Sequence, residues 1–163
     1  MKFVADGMLG KLTRWLRMIG QDVIYSVLLD DNQLLGLAKA ETRVLLTKDL
    51  ELYRRAIGRG LDAYYVEGKT EPERLAEVAR RSGLELAVDM GKSHCPLCNT
   101  PLKTADKERL KNLLEPNTYK NYERFWRCSN CSQIYWQGAH WKQIINTLSE
   151  AQQMQTKYIA RQY

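Results

Sequence analysis

Four cysteines, set as two C-x-x-C pairs at Cys95/Cys98 and Cys128/Cys131, constrain this chain more than any other feature of its 163 residues. A two-residue gap turns the backbone tightly enough for both sulfurs of a pair to reach one ion, and two such pairs complete a tetrahedral shell. The pairs use every cysteine in the protein and leave 29 residues between Cys98 and Cys128, longer than the commonest spacing of a four-cysteine ribbon. One C-x-x-C alone would also read as a redox motif. Two at this separation read as a structural zinc site with no open coordination position. His94 and His140 flank the pairs, and with four thiolates available they are expected beside the ion rather than on it.

The residues ahead of the cysteines follow a different rule. Short apolar runs at KFVAD (2–6), DVIYS (22–26), RVLLT (43–47), DAYYV (62–66) and, as a candidate fifth, LELAV (84–88) alternate with helix-like stretches. Between the first two runs, Met8, Leu9, Leu12, Trp15, Leu16 and Ile19 recur at three- and four-residue spacing. That is one apolar stripe of a helix, with Gly20 at the stop position. Residues 31–40, 49–58 and 71–82 supply further helices, the last with Pro72 in its first turn and Gly83 after its end. Strands and helices alternating in this way predict an α/β domain with a mostly parallel sheet covered on both faces. The expected division is an α/β domain over 1–91, a zinc ribbon over 92–148 and a helical tail over 149–163, the last part of one helix that starts near His140.

Charge separates the same two parts. Residues 1–91 carry 14 Lys/Arg against 14 Asp/Glu, whereas residues 92–163 carry 11 against five, so the whole net charge of +6 lies in the second part. Four zinc-bound thiolates would still leave that part basic. A basic module on a balanced domain points to a polyanionic partner, most simply nucleic acid. No apolar run approaches the roughly 20 residues that cross a bilayer. The start, MKFVADGMLGKL, has neither a long apolar core nor a cleavage site, so the expected setting is the cytoplasm, with no membrane partner and with reduced thiols.

Acidic residues fall where the predicted strands end. Asp6 closes the first strand, Asp30 and Asp31 follow the second, and Asp49 follows RVLLT. The carboxyl ends of parallel strands converge on one rim, and ligands bind there. Carboxylates brought together need a counter-charge, and hard divalent cations such as magnesium or manganese supply it through oxygen ligands. Asp6, Asp31 and Asp49 are the expected ligands of such an ion, with Asp30 in support. Each also precedes a helical stretch, where aspartate is a favoured cap, so cap and ligand both stand as readings of the sequence. Thr47 is placed to orient a carboxylate, and Glu67 after the fourth strand is a further acid near the rim. Lys11, Arg14 and Arg17 on the first helix, with Lys48 beside the third acidic position, suit a substrate whose phosphates run past the metal. In the ribbon, Tyr119, Tyr122, Phe125, Trp126, Tyr135, Trp136 and Trp141 are interleaved with Lys120, Arg124 and Arg127. A module this small needs most of those rings for its core, although exposed rings among cations also stack on unpaired bases.

In order along the chain, DGMLGKLTRWLRMIGQDV, the Asp30–Asp31 pair, LLTKD, a knuckle continuing CNTPL, and FWRCSNCSQIYWQGAHW resemble the Mut-seven C-terminal RNase domain family. The resemblance runs over most of residues 1–148. It implies a PIN-like (Rossmann-like) nuclease fold joined to a zinc ribbon, and a metal-dependent ribonuclease or RNA-processing role with RNA as partner. Asp6, the Asp30/Asp31 pair and Asp49 occupy positions where PIN-like folds gather acids, and the four cysteines match the ribbon's ligands. Two departures stand out: Glu41 lies where a PIN domain places its second acid, and the usual fourth acid has only Glu67 as a counterpart. A reduced set of acids also fits a non-catalytic RNA-binding or ribosome-associated adaptor. A receiver-like phosphoacceptor domain would gather aspartates and a lysine at the same rim, but it would not need a basic ribbon.

Overall fold

The computed structural model describes residues 1–160. Four parallel strands, β1 (Lys2–Ala5), β2 (Asp22–Tyr25), β3 (Val44–Thr47) and β4 (Ala63–Tyr65), form one sheet in the order β2-β1-β3-β4. A short 3-10 turn (Gly7–Leu9) leads into α1 (Gly10–Met18); α1, α2 (Asp31–Ala40) and α3 (Leu50–Gly58) form the three crossovers, and α4 (Glu71–Ser82) follows β4. Side-chain alternation along the strands divides the core in two. Phe3, Ala5, Val23 and Leu46 pack with α1 and α4, whereas Val4 and Leu45 pack with α2 and α3. The helix expected from residue 8 begins instead as a 3-10 turn, because the Asp6 carboxylate draws the backbone N–H of Met8. Gly20 ends α1 at φ +87°, a left-handed conformation that costs glycine nothing.

The candidate fifth strand does not form. Residues 84–88 keep the strand-like alternation, with Leu84 and Leu86 buried, but they join no ladder. Their carbonyls are taken by side chains instead: Gln152 Nε2 donates to Leu86 O at 2.8 Å and Gln155 Nε2 to Leu84 O at 3.4 Å.

The four-cysteine module is a second, antiparallel sheet of β5 (Leu102–Ala105), β6 (Phe125–Cys128) and β7 (Ile134–Tyr135), in that order. The long insertion between the cysteine pairs folds as two short helices, α5 (Lys107–Leu110) and α6 (Pro116–Asn121). The chain then returns to the first domain through α7 (Trp141–Ala160). Leu148 and Ala151 of α7 are buried in the same core as Leu75 and Ala79 of α4, with Met154 packed against it. The tail expected from residue 149 is the second half of this helix, and residues 161–163 of that tail lie outside the described residues.

Candidate metal centres and nucleic-acid interface

The four sulfurs converge. Cys95, Cys98, Cys128 and Cys131 present ligand atoms within 4.8 Å of one another. Cys95 Sγ lies 3.6 Å from Cys131 Sγ, and Cys98 Sγ lies 3.4 Å from Cys128 Sγ. A tetrahedral ion with metal–sulfur bonds of about 2.3 Å separates its sulfurs by about 3.8 Å, so the cluster fits a metal such as zinc. The two halves repeat one backbone design. Asn99 N donates to Cys95 O and Cys95 N to Thr100 O; Ser132 N donates to Cys128 O and Cys128 N to Gln133 O. Asn99 and Ser132 are both left-handed, at φ +71° and +64°, which closes each loop on its pair. Its hydrogen bond with Thr100 pulls the Cys98 thiol down to about 5. Tyr135 Oη lies 3.1 Å from Cys95 Sγ, and burial together with the neighbouring thiol raises the phenol, which keeps it a donor to sulfur.

The first knuckle is bolted to the parallel sheet. Asn99 accepts from Val23 N with Oδ1 (2.9 Å) and donates to Asp22 Oδ1 with Nδ2 (2.6 Å). Asp22 in turn holds the Arg43 guanidinium at 3.0 Å. Burial alone would raise the Asp22 carboxyl, but hydrogen bonds from Arg43 and Asn99 outweigh it and hold the group below its ordinary range. Arg17 crosses the same junction, donating to Val23 O, Pro96 O and Leu97 O. It is 5% exposed. Expected as a contact to RNA, Arg17 is instead a junction residue: its donors are spent on the carbonyls of Val23, Pro96 and Leu97. Burial pulls its pKa below the arginine norm, while the sulfurs of Cys95 and Cys98 pull the other way.

At the acidic rim the four aspartates are near strand ends as expected, but each already has work. Asp6, buried, accepts from Met8 N with Oδ1 and from Lys48 N and the Thr47 hydroxyl with Oδ2. Asp30 caps α2 in a capping box with Gln33. Asp49 caps α3 through Oδ1, which accepts from Glu51 N and Leu52 N, and its Oδ2 accepts nothing from the described residues. Asp31 forms an ion pair with Arg55 at 2.8 Å. Asp6 and Asp49 are nonetheless tied together, since Thr47 donates to Asp6 and receives Asp49 N at 2.9 Å. They lie between β1 and β3, where the strand order reverses, the switch point at which open α/β sheets bind ligands. Among the described residues the cysteines are the only group of three or more potential ligands brought within reach of one ion.

The other sequence candidates separate clearly. Glu41 pairs with Arg43 at 2.7 Å at the entrance to β3, the edge opposite the rim, so it does not join the acids. Glu67 follows β4 and its exposed side chain lines a cleft with Lys69 and Glu73. The Lys48 ammonium reaches Gly68 O at 3.4 Å. Lys11 and Arg14 are exposed and line a cavity of about 340 Å³ with Tyr25 and Leu97. His94 makes a 2.7 Å hydrogen bond with Asn99 O, outside the sulfur shell. Arg55 and Asn99 carry more of the arrangement than their sequence context indicated; the only signal for Asn99 was its place one residue beyond a cysteine pair.

A parallel sheet with acids at its switch point, fused to a four-sulfur module, is matched by one family model, described as the Mut7-C RNAse domain, over residues 1–148. The chain belongs to the Mut7-C RNAse domain family. The matched span takes in the whole parallel sheet, the cysteine module and the first turns of α7 through Leu148. No curated protein and no solved structure gives a match. Membership in the Mut7-C RNAse family gives the chain a nuclease-related character with RNA as the implied substrate. Among the described residues, no helix is long and apolar enough to cross a membrane.

Proposed function

We propose that this chain is a divalent-metal-dependent ribonuclease that hydrolyses RNA phosphodiester bonds in the cytoplasm. The observation that carries the reading is the Asp6–Thr47–Asp49 linkage at the β1/β3 crevice, in a chain of an RNAse family. The donors there are hard oxygens, the class that suits magnesium or manganese. Asp49 Oδ2 and the remaining lone-pair capacity of Asp6 would hold the ion, with Asp31 and Asp30 at the neighbouring helix start. A divalent ion in such a site supplies charge neutralisation and a lowered water pKa. Thr47 fixes the Asp6 carboxylate, and Arg55 restrains Asp31. Lys11 and Arg14 hold the RNA backbone beside the crevice, and Lys48 is restrained toward Gly68. The four cysteines bind structural zinc, and the module they close orients the RNA.

One observation favours a second reading, a non-catalytic RNA-binding adaptor: every rim aspartate has a protein partner already. Labelled RNA incubated with magnesium or manganese separates the two. Asparagine caps a helix as well as aspartate does, so Asp49→Asn keeps the fold and removes the charge. Cleavage by wild type that is lost in Asp49→Asn is the expected result. Binding without cleavage by wild type makes the chain an adaptor.

A further inference from the structure

The sheet of the cysteine module has two faces. Leu102, Trp126 and Cys128 pack around the sulfurs with Tyr135. Strand alternation puts Lys103, Phe125, Arg127 and Ile134 on the other face. There Lys103 stands directly opposite Arg127 across the β5–β6 ladder, and like charges in that register repel. Among the described residues neither cation has a carboxylate partner. Arg127 only donates to Ser132 O at 3.3 Å. The two line an open cleft with Ser129 and Ser132, and no acid lines it.

Arg127 is also paired, across the next ladder, with Ile134. Ile134 is a wall of a cavity of about 450 Å³ between β7, α6 and the start of α7, whose other walls include Tyr122, Trp136, His140 and Trp141. Tyr122, Trp136 and Trp141 are half-buried and His140 is exposed, so their ring faces are not consumed by the core as those of Phe125 and Trp126 are. Trp136 is held in place against Phe125, with ring centroids 6.3 Å apart and planes tilted by 54°. An unneutralised pair of cations thus adjoins an aromatic-walled cavity, on the part of the chain that carries the whole positive surplus.

We propose that this face binds single-stranded RNA, with an unpaired base in the aromatic cavity and the adjoining phosphates against Lys103 and Arg127. The inference rests on the RNA-acting reading above and deepens it by naming the form of the substrate. Sequence-tolerant stacking beside a basic groove is the chemistry of single-strand recognition. A duplex, whose bases are stacked inside, cannot fill the cavity without being opened.

Fluorescence anisotropy of a labelled single-stranded RNA, and of the same sequence as a duplex, tests it on the zinc-loaded full chain without magnesium or manganese. Wild type is expected to prefer the single strand. Trp136→Ala weakens it about tenfold, and Trp136→Phe, which keeps a stacking face, retains most of the affinity. Lys103→Ala combined with Arg127→Ala lowers the slope of log affinity against log salt by about 1.4. Zinc content and melting temperature of every variant identify any loss of fold, and Tyr122→Ala, outside the sheet, serves if Trp136→Ala loses zinc. Variants that keep zinc and fold yet bind the single strand like wild type overturn the proposal and leave the face to a protein partner. Wild type that binds single-stranded RNA here but does not cut it once magnesium or manganese is added overturns the ribonuclease reading and leaves this face standing.

Discussion

The acidic rim and the cysteine module both collect residues from distant parts of the chain, but they differ in what those residues do besides. The four thiols meet chiefly one another, their sulfurs converging to 3.4–3.6 Å within each contacting pair, with only Tyr135, Thr100 and a backbone N–H of the same loops beside them. The rim aspartates are all employed, three as helix caps and one in an ion pair. A metal at the cysteines therefore completes a cluster whose sulfurs already face one another, whereas a metal at the rim shares carboxylates with the backbone. The difference predicts that the first site governs stability and the second governs activity.

Stripping metal from the cysteines, or Cys128→Ser, should have the largest effect. Binding energy at a structural zinc site is folding energy, on the order of 10 kcal/mol in small domains. Circular dichroism and proteolysis with and without chelator should show residues 92–140 unfolding first, while the parallel sheet survives. Next in size is Asp6→Ala, which leaves Met8 N, Lys48 N and the Thr47 hydroxyl without their acceptor. A loss of about 3 kcal/mol in urea unfolding is expected; no loss would mean that this aspartate is free for a metal after all. Asn99→Ala removes two hydrogen bonds across the junction and a residue suited to its positive φ, for roughly 2 kcal/mol, and should raise amide exchange at Val23.

The smallest effect is a pH dependence. The Asp22 carboxyl is held below its ordinary value of 3.8 by Arg43 and Asn99 against the opposing effect of burial. A lowered folded-state pKa gives stability that is present above the unfolded value and is lost as pH falls through the folded one. The junction should accordingly weaken below about pH 4. Asp22→Asn should be less stable than wild type at neutral pH and converge with it in acid, as read by melting temperature across the range.

Much of the fold was legible because periodicity reports packing directly. The four strands, the three crossover helices between them and α4 after the last strand follow from apolar runs and stripes that the core needs wherever the chain goes. Residues 84–88 misled for a physical reason: alternating burial is a property of any extended segment lying on a core, and a ladder also requires a free strand edge, which glutamines of α7 replace. Arg17 misled because charge in a sequence does not reveal partners. Only the folded chain brings Pro96 O and Leu97 O to its guanidinium. The cysteines were legible since their spacing encodes geometry locally. The aspartates were legible as a rim but ambiguous as a site, since the same side chain caps helices and ligates metals.

Manganese binding to the zinc-loaded protein, followed by electron paramagnetic resonance in wild type, Asp49→Asn and Asp30→Asn, tests the rim most directly. Wild type should bind an ion that is lost in Asp49→Asn and largely kept in Asp30→Asn, with folding unchanged in all three. A protein that binds no manganese, or binds it equally after Asp49→Asn, would contradict a reaction centre at the β1/β3 crevice.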